Sequence, residues 1–306
     1  MKKRALALVC ALTFGALTLS ACGGASGEPT QASVPAETQA AEESASAGTV
    51  AAEAEEPETA QTGEKGTVTV AATPVPHAEI LEAAKPLMEE KGWTLEVVEF
   101  TDYVQPNEVV ESGDIDANYF QHINYMESYN EEKGTHLVSA GEIHYEPLGI
   151  YPGKESDLNN ISDGAEIAVP NDTTNEGRAL LLLQENGLIT LDPEAGITAT
   201  VMDITENPHN LEIVELQAEQ VARTLPDVAF GVVNGNYALQ AGLSTSDAVA
   251  LETADSEAIQ QYVNVIAVKE GNENKEGIQA LVEVLKSDEI RTFIIATYQG
   301  SLVPYE

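Results

Sequence analysis

Cysteine is nearly missing from this 306-residue chain, which has only Cys10 and Cys22. Cys10 lies inside an apolar N-terminal run, so a chain cleaved ahead of Cys22 keeps one thiol. That excludes an internal disulfide and a thiolate zinc centre. Basic residues are scarce too, with 14 Lys and Arg against 51 Asp and Glu and a formal charge of −37. Such a surface repels phosphate backbones and anionic headgroups, which argues against nucleic acid as a partner and against direct lipid binding by the folded body. After residue 21 no stretch approaches the roughly 20 apolar residues that a membrane-spanning helix needs. The five histidines, His77, His122, His136, His144 and His209, form no HxxxH pair and no His-rich loop, which argues against a metal centre. A G-x-S-x-G elbow and a glycine-rich phosphate loop are also absent, so the chain is read as a non-enzyme that needs no cofactor.

What is present begins with an address. Lys2, Lys3 and Arg4 precede the run "ALALVCALTFGALTLSA", a signal-peptide pattern over residues 1–21. It ends in Leu19-Ser20-Ala21-Cys22, which resembles the bacterial lipobox. The resemblance implies that Cys22 is diacylated with palmitate-class chains and becomes the first mature residue. A multiply acylated terminus anchors stably, so the chain is expected on the extracytoplasmic face of the cell membrane, held by lipid alone. The remainder of the 22–66 block is rich in Ala, Gly, Ser, Thr, Pro and Glu, with Val34 and Val50 its only large aliphatics. So little apolar surface cannot offset the ordering entropy, and a disordered acidic tether is expected.

From Thr67 onward, short β-branched runs alternate with helical patterns. "TVTVAA", "TLEVVEF", "DIDANYF", "AEIAVPND", "DVAFGVV" and "YVNVIAV" read as strands, and "HLVSAGEIHYEPLGIYPG" as one more. "ITATVMDI" and "LEIVEL" read as short strands. "HAEILEAAKPLMEEKG", "INYMESYNEEKG" and "TNEGRALLLLQENG" read as helices, the last opened by a Thr173-x-x-Glu176 capping box. "IQALVEVLKSDEIRTFIIATYQ" ends the chain as a helical pair or one kinked helix. This alternation implies an α/β body with mainly parallel sheets, whose ligands lie at strand ends or between domains.

The stretch "DIDANYFQHINY" gathers Asp114, Asp116, three amides, His122 and three aromatic residues. Set on a calcium loop, it places Tyr119 where glycine is required and Tyr125 where a bidentate glutamate is required, so that reading fails. Beyond the signal segment there are three arginines, Arg178, Arg223 and Arg291. Arg178 lies in the early turns of the capped helix, where a guanidinium near the positive helix end suits a carboxylate. Spacing alone equally allows a surface pair with Glu176 or Glu185.

"PVPHAEIL", "FTDYVQPN", "GDIDANYFQH", "VPNDTTNEGRALLLLQENGLI", "NPHNLEIVEL" and "VVNGNYALQAGL", in this order, resemble the NlpA/MetQ family of lipoproteins. These are substrate-binding components of methionine ABC importers. The resemblance covers the body from about Thr67 to the C-terminus. It implies a bilobed periplasmic-binding-protein fold (type II-like), two α/β domains with a ligand cleft between them. Lobe 1 would take residues 67–146 and 262–306, lobe 2 residues 147–261, with hinges near Glu142 to Gly149 and Asp255 to Val263. The implied ligand is L-methionine, delivered to an ABC transporter permease driven by a separate ATPase. Tyr103, Phe120, His122 and Tyr125 would wall the thioether pocket, and Arg178 would pair with the α-carboxylate. Asn234 and Asn264 would hold the amino-acid backbone, with Asn175 a further candidate. Another amino acid, a methionine derivative or dipeptide, or a transition metal stay open as alternatives. "GEIHYEPLGIYPGK" matches the family only loosely.

Overall fold

The computed structural model describes residues 65–253 and 261–305. The signal segment, Cys22 and most of the tether lie outside the described residues, as does much of the second expected hinge. Among the described residues no helix is long and apolar enough to cross a membrane.

Two larger sheets organise the body. The first runs β2 (Trp93–Glu99), β1 (Gly66–Ala72), β3 (Ala117–His122), β12 (Val263–Lys269), β4 (Leu137–Tyr145) and β13 (Val303–Pro304). The second runs β9 (Glu212–Leu216), β6 (Glu166–Pro170), β10 (Phe230–Val233), β5 (Gly149–Pro152) and β11 (Ala250–Leu251). Each sheet is covered on both faces, which is why its central strands read as unbroken apolar runs. On one face of the first sheet Val68 and Val70 pack with Ile80 and Leu81 of α1 (Glu79–Glu90), and with Leu281 and Ile294 from the two C-terminal helices. On the other face Val265 and Ala267 meet Val110 of α2 (Gln105–Ser112) and Met126 of α3 (Ile123–Lys133). In the second sheet Ile167 and Val169 pack against Leu180 and Leu183 of α4 (Thr173–Glu185). The alternate residue Ala168 faces Val221 of α5 (Ala218–Thr224) and Tyr237 of α6 (Gly235–Gln240).

The sheets are mixed rather than mainly parallel. β1 pairs in parallel with β2 and β3, but β12 is antiparallel to both β3 and β4. Likewise β10 is parallel to β6 and antiparallel to β5. Strands joined by a helix within one lobe obey the right-handed parallel crossover rule. A strand that arrives from the other lobe is free of it.

Three local expectations also change. The run from His136 to Gly153 is two strands, β4 in one sheet and β5 in the other, so residues 146–148 carry the chain between the two sheets. "ITATVMDI" is mostly 3-10 turns, Gly196–Thr198 and Val201–Asp203, because Thr200 and Asp203 form a capping box there. Only Ile204–Glu206 (β8) is extended, paired with Thr190–Leu191 (β7). The cap of α4 is Asp172, one residue earlier than expected, its carboxylate accepting from the Asn175 N–H at 3.0 Å. Glu176 instead accepts from the Val201 N–H at 3.1 Å and holds the 3-10 segment onto α4. The C-terminal run is a pair of helices, Glu276–Leu285 and Asp288–Tyr298, broken where Ser287 caps the second.

Candidate functional site

Between the lobes lies a narrow cavity lined by Tyr103, Phe120, His122, Tyr125, Asn175, Arg178, Asn234 and Asn264. All eight residues singled out from the sequence meet there. Gln121, Glu146, Gly235 and Asn236 complete the lining and were not anticipated.

The first lobe supplies rings. Phe120 and His122 end β3, and His122 also caps α3, its Nδ1 accepting from the Tyr125 N–H at 3.1 Å. This fixes the ring as the Nε2–H tautomer, and that proton goes to Asn175 Oδ1 at 3.2 Å. With both nitrogens engaged, His122 offers a ligand its ring surface. Burial and the neighbouring Arg178 charge push its pKa down to about 3, so it is neutral. Tyr103, in the loop before α2, lies 5.6 Å from Phe120 and 5.7 Å from Tyr125 between ring centroids. It stacks at 4.9 Å on Tyr237 of the other lobe, and its hydroxyl donates to Asn236 Oδ1.

The second lobe supplies amides and charge. Asn175 is held by Asp172, and its Oδ1 accepts from Asn234 Nδ2 at 2.8 Å as well as from His122. Arg178 is buried, one turn further into α4. Its partner is neither Glu176 nor Glu185 but Glu252, beyond β11. Nε donates at 2.9 and 3.1 Å to the two carboxylate oxygens, and Nη2 donates to Glu252 and, at 2.9 Å, to the Glu146 carbonyl. The guanidinium also lies 4.1 Å from the centroid of the Tyr262 ring. Burial pushes the Glu252 carboxyl up, but the Arg178 charge and its hydrogen bonds outweigh that and hold it below the usual carboxylate range. Nη1 has no hydrogen bond of its own among the described residues, so this face remains for an anion. Asn234 Oδ1 and Asn236 Nδ2 are buried without a partner among the described residues. Unmet buried groups on the wall of a cavity call for a bound polar molecule.

Glu146 lies in the interlobe segment, and its Oε1 accepts from His144 Nε2 at 2.8 Å with His77 Nε2 at 3.4 Å. Spacing could not reveal this cluster, because His77 and His144 lie on different elements and one glutamate among so many acidic residues carries no signal. The signal available was position: Glu146 follows a strand end in the loosely matching hinge segment. Asn264, on β12, closes the group by accepting from His77 Nε2 at 3.2 Å. Chemically, the cavity combines a ring wall, a buried guanidinium and unmet amide groups, an arrangement suited to a small amphipathic anion or zwitterion.

Comparison with known proteins agrees with this architecture. The family profile described as NlpA lipoprotein matches residues 68–306. The methionine-binding lipoprotein MetQ of Bacillus subtilis is 42% identical over 252 residues, 80% of this chain and 90% of the relative. A solved lipoprotein from Ruminococcus gnavus is 65% identical with a TM-score of 0.77, covering 78% of this chain and 99% of that one. A nutrient-binding protein from Burkholderia cenocepacia, solved bound to methionine, is 42% identical with a TM-score of 0.75, covering 78% and 100%. On this match, which spans the whole folded body, the chain belongs to the NlpA lipoprotein family.

Proposed function

We propose that this protein is a lipid-anchored receptor that captures L-methionine in the interlobe cleft and delivers it to an ABC transporter permease driven by a separate ATPase. The observation that carries the reading is the convergence of a four-ring wall and a buried arginine on one cavity. The relatives named for or bound to methionine supply the ligand. The thioether lies among Tyr103, Phe120, His122 and Tyr125, where aromatic faces favour a polarizable sulfur by about 0.3–1.5 kcal/mol per contact. The α-carboxylate meets the open Nη1 face of Arg178, and Asn234 and Asn264 hold the backbone atoms while Asn175 fixes His122 and Asn234. Lobe 1 is residues 67–146 and 262–306, and lobe 2 is residues 147–261. A ligand that touches both walls stabilises the closed state by its differential affinity, which the permease reads. Cys22 carries the lipid on the extracytoplasmic face, and the chain performs no reaction of its own.

Calorimetric titration of the full chain with L-methionine tests this, together with mass spectrometry of any molecule that copurifies. Stoichiometric heat and thermal stabilisation by L-methionine are expected. Silence with methionine, but heat and stabilisation with another amino acid, would sink the substrate assignment.

A further inference from the structure

Most of the guanidinium of Arg178 is occupied before any ligand arrives. Nε–H and one hydrogen of Nη2 go to the Glu252 carboxylate, and the other hydrogen of Nη2 goes to the Glu146 carbonyl at 2.9 Å. Only the Nη1 hydrogens are left for the cavity. The residues that hold the rest share a place in the chain. Tyr145 ends β4 and Glu146 opens the passage from the first sheet to the second, while Glu252 follows β11 and Tyr262 precedes β12, flanking the passage back. Glu252 also joins the two passages: its N–H donates to the Leu148 carbonyl at 2.9 Å, and its Oε2 accepts from the Tyr145 hydroxyl and, at 3.4 Å, from the Leu148 N–H. The Tyr262 ring covers the guanidinium, 4.1 Å from its carbon, and meets the His122 ring edge-on at 5.1 Å. The Tyr145 ring lies 5.8 Å from the same carbon. Both tyrosines are buried, and neither they nor Glu252 line the cavity.

We propose that Glu252 and Tyr262 are positioning residues for the ligand's carboxylate: with Tyr145 they form a clasp, drawn from both passages between the sheets, that aims Nη1 of Arg178 into the cavity. This rests on the reading of the cleft as an amino-acid site. A carboxylate already beside the arginine weakens its attraction for a second anion, so Glu252 does not serve the ligand by charge. What it supplies is direction. Bonds on Nε and Nη2, with a ring against one face, stop the guanidinium from turning about its own stem and leave Nη1 in one place. The Tyr145 hydroxyl and the Leu148 N–H fix the Glu252 carboxylate in turn. Without the clasp the arginine keeps its charge and loses its aim.

The test compares L-methionine with L-methioninol, which keeps the thioether and the ammonium group and lacks the carboxylate, by calorimetric titration of the full chain. Wild type is expected to prefer methionine by about 100-fold. Tyr262→Leu, which keeps an apolar side chain and removes the ring face, should lose about tenfold for methionine and leave methioninol unchanged. Glu252→Ala should lose about 100-fold for methionine alone, the effect of a misplaced contact, whereas Glu252→Gln, which still offers an oxygen to Nε–H, should keep part of the preference. Thermal melts show which variants keep the fold, and Tyr262→Leu decides the matter if Glu252→Ala does not. Equal losses for methionine and methioninol mark a merely structural role and overturn the proposal while leaving methionine as the ligand. Tighter methionine binding by Glu252→Gln also overturns it, since the glutamate would then compete with the ligand for the arginine. A carboxylate-specific loss seen with a different amino acid supports the clasp and removes methionine. Failure of every amino acid with wild type overturns both.

Discussion

The first lobe meets the cleft mainly with rings, and the second mainly with amides and a guanidinium. Tyr103, Phe120 and Tyr125 touch one another at centroid distances of 5.6 to 6.0 Å and use few directional bonds toward the cavity. Asn175, Arg178 and Asn234 are tied to Asp172, Glu252 and one another by hydrogen bonds of about 3 Å. The contrast separates two tasks. Ring surface attracts an apolar side chain with little demand on orientation, whereas a buried charge with fixed partners demands one geometry and is costly to disturb. Changes on the polar wall should therefore cost more than changes of similar size on the ring wall.

Arg178→Ala strikes the polar wall hardest. Methionine affinity should fall at least about 100-fold, and loss of Glu252's partner should cost about 3–5 kcal/mol of stability. Calorimetric titration and thermal melts read the two effects separately. Pairing Arg178→Met with Glu252→Gln should restore most of the stability without restoring binding. If binding returns, the arginine holds the wall and does not hold the ligand.

Acid should weaken the ring side before the polar side. His77 and His122 stay neutral down to about 4 and about 3 in the folded chain, whereas unfolded histidine titrates near 6.5. Between those values the unfolded state binds more protons, so their contribution is full above pH 6.5 and is lost as pH falls. The slope is up to about 1.4 kcal/mol per pH unit for each histidine. Glu252, whose folded pKa is lowered, contributes stability that is lost only when pH falls below the ordinary carboxylate range. Denaturant unfolding at pH 7.5, 6 and 5 checks this, and His77→Gln should flatten the slope.

Tyr103→Phe should have the smallest effect. It keeps the stack on Tyr237 and removes one hydroxyl bond to Asn236, a change of about 0.5–1.5 kcal/mol. Methionine affinity measured by titration should fall by less than about tenfold. A loss as large as that from Arg178→Ala would erase the distinction between the walls.

Much of this site was legible because its residues follow strands in recognisable runs. Phe120 and His122 end β3, Asn234 follows β10, and Arg178 lies in the helix after β6. In an α/β body the ends of strands are where ligands bind, so local pattern and site coincide. The strand period and helix spacing likewise announced the α/β alternation.

Only the tertiary structure decided the charges and the sheet polarity. Arg178 and Glu252 lie 74 residues apart, and nothing local marks Glu252 among 51 acidic residues as the one to be buried. His77, His144 and Glu146 become neighbours because β4 and the segment after β1 converge on the hinge. β12 turns antiparallel because it enters from the other lobe. Periodicity and capping act over a few residues, so the sequence could declare the elements and the residues at their ends. Which buried charge meets which depends on how two sheets share one returning chain, and that is settled only when they pack.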